Sequence, residues 1–231
     1  MNYENITVIG FDADDTLWVN ETYFREAEVE FSQLMQAYET INKVDQELYK
    51  VETVNIPIYG FGVKGFILSM IETALKLSNY QASNQVIESI INIGKEMFDK
   101  PVELLDGVEK TLELLSKKYR LIVATKGDLL DQEKKLKKSG LIKYFHHIEI
   151  LSDKKEQNYS ELLKHLEIDP KSFLMVGNSL KSDVLPVIAM GAQAIHVPYH
   201  TTWQHERVHH TEIQNAQYRT LDSISELMKL V

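Results

Sequence analysis

Apolar positions along the chain keep two different rhythms, and the changes between them divide it into parts. Ile6 to Phe11 is a short apolar run of strand length that stops where charge begins at Asp12. From about Glu21 to Tyr38 apolar residues recur at helical spacing, as in Phe24, Ala27, Phe31, Leu34 and Met35. Helical periods return over Lys64 to Leu77 and over Asn84 to Phe98. Between the first two helical stretches lies NIPIYGFGVKG, whose Pro57, Gly60, Gly62 and Gly65 mark a bent, close-packed connection. About 80 residues are thus mainly helical.

Beyond Lys100 the two rhythms alternate. Helical periods over Val108 to Leu115, Leu129 to Leu136 and Glu156 to Leu166 alternate with strand-like runs at Leu121 to Ala124, Ile148 to Leu151 and Ser172 to Val176. Another helix and a final strand around Ala192 to Val197 follow, and a helical stretch at Ile224 to Leu230 is expected to cover a sheet edge. The alternation predicts an α/β, Rossmann-like fold: a mostly parallel sheet with helices on both faces and a helical segment inserted after the first strand. No internal repeat or low-complexity tract interrupts it.

Composition narrows the setting. With 231 residues, 44% hydrophobic and 26% charged, the chain can bury a substantial core. MNYENITVIG lacks the basic and apolar regions of a secretory signal, and no apolar run is long enough to span a bilayer. The absence of cysteine excludes disulfides and thiolate chemistry, so the expectation is a cytoplasmic protein with no membrane partner. A net charge of -9 repels polyanions, and the densest basic patch, EKKLKK at 133–138, reads as the wet face of a helix. No nucleic-acid partner is expected, and the sequence sets no oligomeric state.

Open parallel sheets place binding groups beyond the carboxyl ends of their strands. Four such ends carry suitable chemistry: Asp12 and Asp14 after VIGF, Thr125 after LIVA, Lys154 shortly after IEIL, and GNSLKSD after FLMV. Asp12 and Asp14 straddle one residue, so a turn can bring both carboxylates around one reacting centre. Each feature alone has a structural alternative: a solvated acidic turn, a helix cap at Thr125 or at Asn178 and Asp183, a polar loop at Lys154.

Taken together, the four elements resemble the haloacid dehalogenase superfamily of hydrolases. The first motif, an apolar strand followed by Asp-any-Asp-any-Thr, matches Asp12, Asp14 and Thr16; the second matches Thr125; the third, a lysine, matches Lys154, with Lys155 as competitor; the acidic fourth aligns with Gly177, Asn178 and Asp183. The resemblance implies a catalytic core over 1–16 and 100–231 and an inserted helical cap over 17–99. It also implies a phosphatase acting on a small-molecule phosphate ester with Mg2+. Asp12 is then the nucleophile that becomes an aspartyl phosphate, and Asp14 the general acid and base. Thr125 and Lys154 hold the phosphoryl oxygens, and the metal is held at Asp12, Asp14, Asn178 and Asp183. Asn178 departs from the usual acidic residue and brings no charge. Same-fold alternatives are a 2-haloacid dehalogenase, against which Asp14 speaks, and a phosphomutase; a non-catalytic phosphate-binding protein is the alternative of another class.

Other residues carry softer expectations. Asp15 is a second group near the metal or a cap, Thr16 a brace for the motif turn, and Lys126 a substrate contact or a solvent-facing lysine. His196, His200, His205, His209 and His210 lie in HVPYHTTWQHERVHH at 196–210, which lacks zinc-motif spacing and reads as a site rim or packed loop. Trp18, Tyr23, Phe24 and Phe31 suit core packing or a substrate wall. Phe61 and Lys64, in the glycine-rich bend of the cap, are the candidates for substrate choice.

Overall fold

A computed structural model describes residues 3–214 and 216–231. In chain order it forms β1 (Val8–Phe11), α1 (Glu21–Leu34), α2 (Ile41–Tyr59), α3 (Val63–Leu77), α4 (Asn84–Asp99), α5 (Val108–Leu115), β2 (Arg120–Lys126) and α6 (Leu129–Ser139). There follow β3 (His147–Leu151), α7 (Glu156–His165), β4 (Phe173–Gly177), α8 (Leu185–Ala189), β5 (Gln193–His196), α9 (His210–Ile213) and β6 (Arg219–Thr220). The chain divides into two compact units: Met1–Glu21, Val102–Lys126 and Gln132–Val231 form one, Thr22–Pro101 and Gly127–Asp131 the other.

The first unit is built on a parallel sheet of order β3-β2-β1-β4-β5-β6. From β1 the chain steps outward to β2 and β3, then returns past β1 to β4. The order therefore reverses between β1 and β4, where departing loops diverge and leave a crevice at the carboxyl ends. Alternation along the strands sorts side chains to two faces. Ile9, Phe11, Leu121, Val123, Leu174 and Val176 pack with α5 and the 3-10 turn at Ile224–Lys229. Val8, Ile122, Ala124, Phe173 and Met175 pack with α7 and α8. Gly10 faces the second group; a Cβ there would come within 2.6 Å of the Phe173 ring, which explains a glycine inside an otherwise apolar strand.

The second unit packs α1 to α4 around Phe31, Met35, Leu48, Phe66, Met70 and Ile90. The helix α2 is a correction to the sequence reading, which had no helix over 41–59 and took Pro57 as part of a bent connection. Pro57 instead sits inside the last turn of α2, and the bend falls at Gly60 and Gly62, both with positive φ (78° and 111°). The inward face of α2 includes Glu52 and Asn55 beside Val44, Leu48 and Val51, so polar residues interrupt the apolar period that would have announced it. β6 was missed for a related reason. It is two exposed residues long, paired with β5 at the sheet edge, and carries no apolar run.

Candidate active site

Asp12 is the first residue after β1, and its N–H extends the ladder to Val176 O (2.9 Å). Its side chain is buried. One carboxylate oxygen accepts from Lys154 Nζ, the other from Thr16 Oγ1 at 3.0 Å. Lys154 stands three residues past β3, with a side chain only 1% exposed, and its ammonium also donates to Asp183 Oδ1 at 2.7 Å. Lys155 points away: its side chain is 77% exposed and paired with Asp153. Asp183 lies in the π-helical turn Leu180–Val184 that follows β4, and its Oδ2 accepts from Ser179 N–H at 2.9 Å. A Cβ at Gly177 would lie 2.3 Å from that carboxylate, so the glycine makes room for Asp183. Beneath, the Tyr159 hydroxyl donates to Ser182 O at 3.0 Å.

This buried trio holds two carboxylates against one ammonium. Burial works against the charged form of Lys154, but Asp12 and Asp183 outweigh it and hold the ammonium protonated well above its ordinary range. Burial pushes the Asp12 carboxyl up to about 7, against the pull of Lys154, with Asp183 adding to the rise. The site is thus short of positive charge.

Asp14 meets different surroundings. Its Oδ1 accepts from Trp18 Nε1 at 2.8 Å and Lys135 Nζ at 3.1 Å; its Oδ2 accepts from Gln132 Nε2 at 3.1 Å. Lys135 is steadied by Asn20 Oδ1 at 2.8 Å. Gln132 also reaches Thr125 Oγ1 at 2.8 Å, so the hydroxyl at the end of β2 and the Asp14 carboxylate share one amide. The sequence reading assigned 133–138 to a wet helix face and missed both α6 residues. The available signal was spacing: Gln132 lies one turn ahead of Leu136, which is buried in the sheet core. Asp15 takes no part in the trio. It has φ 62° and accepts from the N–H groups of Asn20 and Glu21 at the start of α1, a capping role.

At the end of β4, Asn178 N–H donates to Thr16 Oγ1 at 3.0 Å, and the Asn178 amide oxygen lies 3.3 Å from the same hydroxyl. Thr16 therefore ties the loops after β1 and β4 and brings Asn178 Oδ1 close to Asp12 Oδ2. Lys126 neither faces water nor stands alone: its ammonium meets Glu206 and donates to Ser182 Oγ at 2.9 Å. Glu206 also accepts from Ser179 Oγ and, at 2.6 Å, from Ser182 Oγ. Burial would raise its carboxyl, but Lys126 and the two serines outweigh this and lower it to about 2. The stretch 196–210 therefore contributes a glutamate to the strand ends, while His196 bonds Asn178 O (3.0 Å) and the His205 ring packs at a 59° tilt against Trp203. His209 and His210 begin α9.

The donors suit a hard dication. Asp12 and Asn178 supply oxygen, and among the described residues no group of three or more His, Cys, Asp or Glu gathers to hold a metal. Mg2+ commonly binds through one or two carboxylates, with water and substrate phosphate completing its shell. The excess negative charge of the trio would favour such an ion at this place. Asp183 fits direct ligation less well: its side chain is 1% exposed against 9% for Asp12, and one of its oxygens is held by the backbone N–H of Ser179.

Phe61 and Lys64 belong to the helical unit. Phe61 is half-buried, and Lys64 Nζ bonds Asp128 at 2.9 and 3.0 Å within that unit. A Cβ at Gly62 would approach Asp128 N to 3.1 Å, so the bend and segment 127–131 lie close together.

Known proteins share this fold and sequence pattern. The sequence model of the haloacid dehalogenase-like hydrolases matches residues 6–191. A haloacid dehalogenase-like family hydrolase from Xanthomonas campestris shares 36% identity, with a TM-score of 0.85 over 96% of this chain and 88% of that one. A glyceraldehyde 3-phosphate phosphatase from Methanothermobacter thermautotrophicus is 30% identical over 126 residues, 52% of this chain; the match spans about half, 54%, of that relative. A 2-haloacid dehalogenase from Pseudomonas syringae has the same fold at 19% identity, with a TM-score of 0.62 over 97% of each chain. The chain belongs to the haloacid dehalogenase-like hydrolase family.

Proposed function

We propose that the protein hydrolyses a phosphate monoester of a small molecule with Mg2+ as cofactor, using Asp12 as nucleophile and Asp14 as proton shuttle. The observation that carries this reading is Asp14 itself, two residues past the buried Asp12 and held by Trp18, Gln132 and Lys135. Displacement of halide needs no proton for its leaving group; departure of an alkoxide from phosphorus does.

An Asp12 oxygen attacks phosphorus as the bond from phosphorus to the ester oxygen breaks, and Asp14 hands its proton to the departing oxygen. Asp14 then takes a proton from water, whose oxygen attacks the aspartyl phosphate and releases phosphate and Asp12. Lys154 offsets charge on the nucleophile, and the Thr125 hydroxyl bonds a phosphoryl oxygen. Asp12, the Asp14 main-chain carbonyl and Asn178 would hold Mg2+, which would polarise the phosphoryl group and offset its charge. Asp183 acts through Lys154, keeping the ammonium in place. The helical unit serves as the cap that selects substrate and excludes water, and the cysteine-free chain supports a cytoplasmic setting.

A screen of metabolite phosphates for phosphate release, with Mg2+ and with chelator, tests the reading. Release that depends on Mg2+ is expected. Halide release from 2-haloacids without phosphatase activity would overturn it, as would an isomerised sugar phosphate with no free phosphate.

A further inference from the structure

Gln132 enters none of the motifs that carry the family resemblance, yet its amide nitrogen lies 2.8 Å from Thr125 Oγ1, 3.1 Å from Asp14 Oδ2 and 3.3 Å from Lys126 O. Carboxylate and carbonyl oxygens only accept hydrogen bonds, so chemistry alone dictates that the NH2 end of the amide faces them. The residue is 1% exposed and shares a helix face with the buried Leu136. A leucine or methionine would fill such a position without the cost of desolvating an amide. An N–H donated to Thr125 occupies an oxygen lone pair and leaves the hydroxyl hydrogen to turn toward an anion. One turn along the same helix, Lys135 takes the other oxygen of Asp14, as does Trp18 from the motif loop.

We propose that Gln132 is a positioning residue for the reaction: it fixes the Asp14 carboxylate relative to the Thr125 hydroxyl, so that the proton shuttle and the phosphate-holding hydroxyl address one phosphoryl group together. The inference rests on the role given to Asp14 above. Its weight comes from geometry, because a misplacement of about 1 Å in a reacting group can cost on the order of 10²-fold in rate. Lys135 restrains the same carboxylate from the second side, so loss of Gln132 loosens Asp14 rather than releasing it.

The test compares phenyl phosphate with 4-nitrophenyl phosphate, whose leaving group is stabilised by the nitro group and needs less protonation. Q132M is expected to lower kcat/KM, which reports phosphoryl transfer to Asp12 and not the later hydrolysis common to both esters, by about 10- to 100-fold for phenyl phosphate and by much less for the nitro ester, and both tests below are read on kcat/KM. If Gln132 acts on proton transfer through Asp14, the double variant D14N/Q132M keeps the phenyl-to-nitrophenyl rate ratio of D14N, because removing the shuttle leaves nothing to position. Equal losses on both esters, or a ratio in the double variant shifted beyond that of D14N, would overturn the inference. So would wild-type rates in Q132M beside a leaving-group-selective defect in D14N, an outcome that leaves the role of Asp14 standing. A wild-type ratio in D14N overturns that role and the inference with it. Should Q132M not fold, Q132N, whose amide is one methylene short, is held to the same ratio criterion.

Discussion

The two units both bury polar side chains, but they satisfy them differently. In the helical unit the Asn55 amide donates to Ser69 Oγ, Ser69 Oγ donates to Gly65 O, and Thr73 Oγ1 to Ser69 O; these are neutral groups bonded to a neighbouring helix or to the turn below. In the sheet unit Asp12, Lys154 and Asp183 are charged, lie 142 and 29 residues apart in sequence from Lys154, and converge from the ends of three strands. A net hydrogen bond of the first kind contributes about 1 kcal/mol. Buried ion groups of the second kind add little net stability, since desolvation offsets their attraction, yet removing one partner costs roughly 3–5 kcal/mol. The difference teaches where folding and chemistry part: the bonded amide and hydroxyls of the helical unit serve its helices, whereas the strand-end charges add little to stability and are the candidates for chemistry.

The sharpest way to break this comparison is at the trio. Asp12→Asn should lower turnover at least about 10⁴-fold by removing the nucleophile. It also leaves one carboxylate for one ammonium, so its melting temperature should not fall below that of wild type. Lys154→Met strands two buried carboxylates and should destabilise by roughly 3–5 kcal/mol as well as inactivate. Denaturant unfolding and phosphate-release assays on both variants decide; a strongly destabilised D12N would make Asp12 a structural residue and erase the contrast. Asp14→Asn should come next, with a loss of about 10²- to 10⁴-fold that is greatest for esters with poor leaving groups, and with a stability loss of about 1–3 kcal/mol because its NH2 end must face a donor from Gln132 or from Trp18 and Lys135.

Much of this was legible in the sequence. The strand ends announced Asp12, Asp14, Thr125 and Lys154 because a parallel sheet leaves its chemistry at a fixed place relative to each apolar run. Partner choice was not legible. In SDKKEQNY only the helix lead-in KEQNY favours Lys154 over Lys155; the register of the loop after β3 buries Lys154 against Asp12 and leaves Lys155 in solvent. Gln132, Lys135 and Glu206 escaped because they are defined by what they face across 118 to 121 residues or, for Glu206, 80 residues of sequence. The helix α2 escaped because its buried face is partly polar, and β6 because two exposed residues have no period.

Glu206 sharpens the comparison through pH. Its carboxyl is lowered to about 2 from an ordinary 4.5, so the stability it contributes is fully present above 4.5 and is lost as pH falls toward 2. The contribution is roughly 3 kcal/mol. Glu206→Gln should therefore be less stable than wild type at neutral pH, and the gap between the two should close on acidification through that window. Thermal melts at a series of pH values give the difference directly. A gap constant with pH would mean that the carboxylate contributes shape rather than charge.

The smallest effects belong to the bend of the helical unit. Lys64 is 57% exposed on its side chain and paired with a half-buried Asp128, an arrangement worth about 0.2–1 kcal/mol. Lys64→Ala should change stability by less than about 1 kcal/mol and leave the Mg2+ dependence within about twofold, because it touches no group of the strand-end trio. Phe61→Ala, at the half-buried aromatic of the same bend, should likewise spare the metal response. If this bend takes part in substrate choice, both variants will reorder a panel of small phosphate esters by turnover efficiency while their Mg2+ titrations overlay that of wild type. The Asp128 pairing makes the larger reordering fall to F61A, since Lys64 already has an anion to satisfy it. An unchanged order in both folded variants would remove the bend from substrate choice, and a changed Mg2+ titration in either would join the two units in one chemical task and dissolve the division between them.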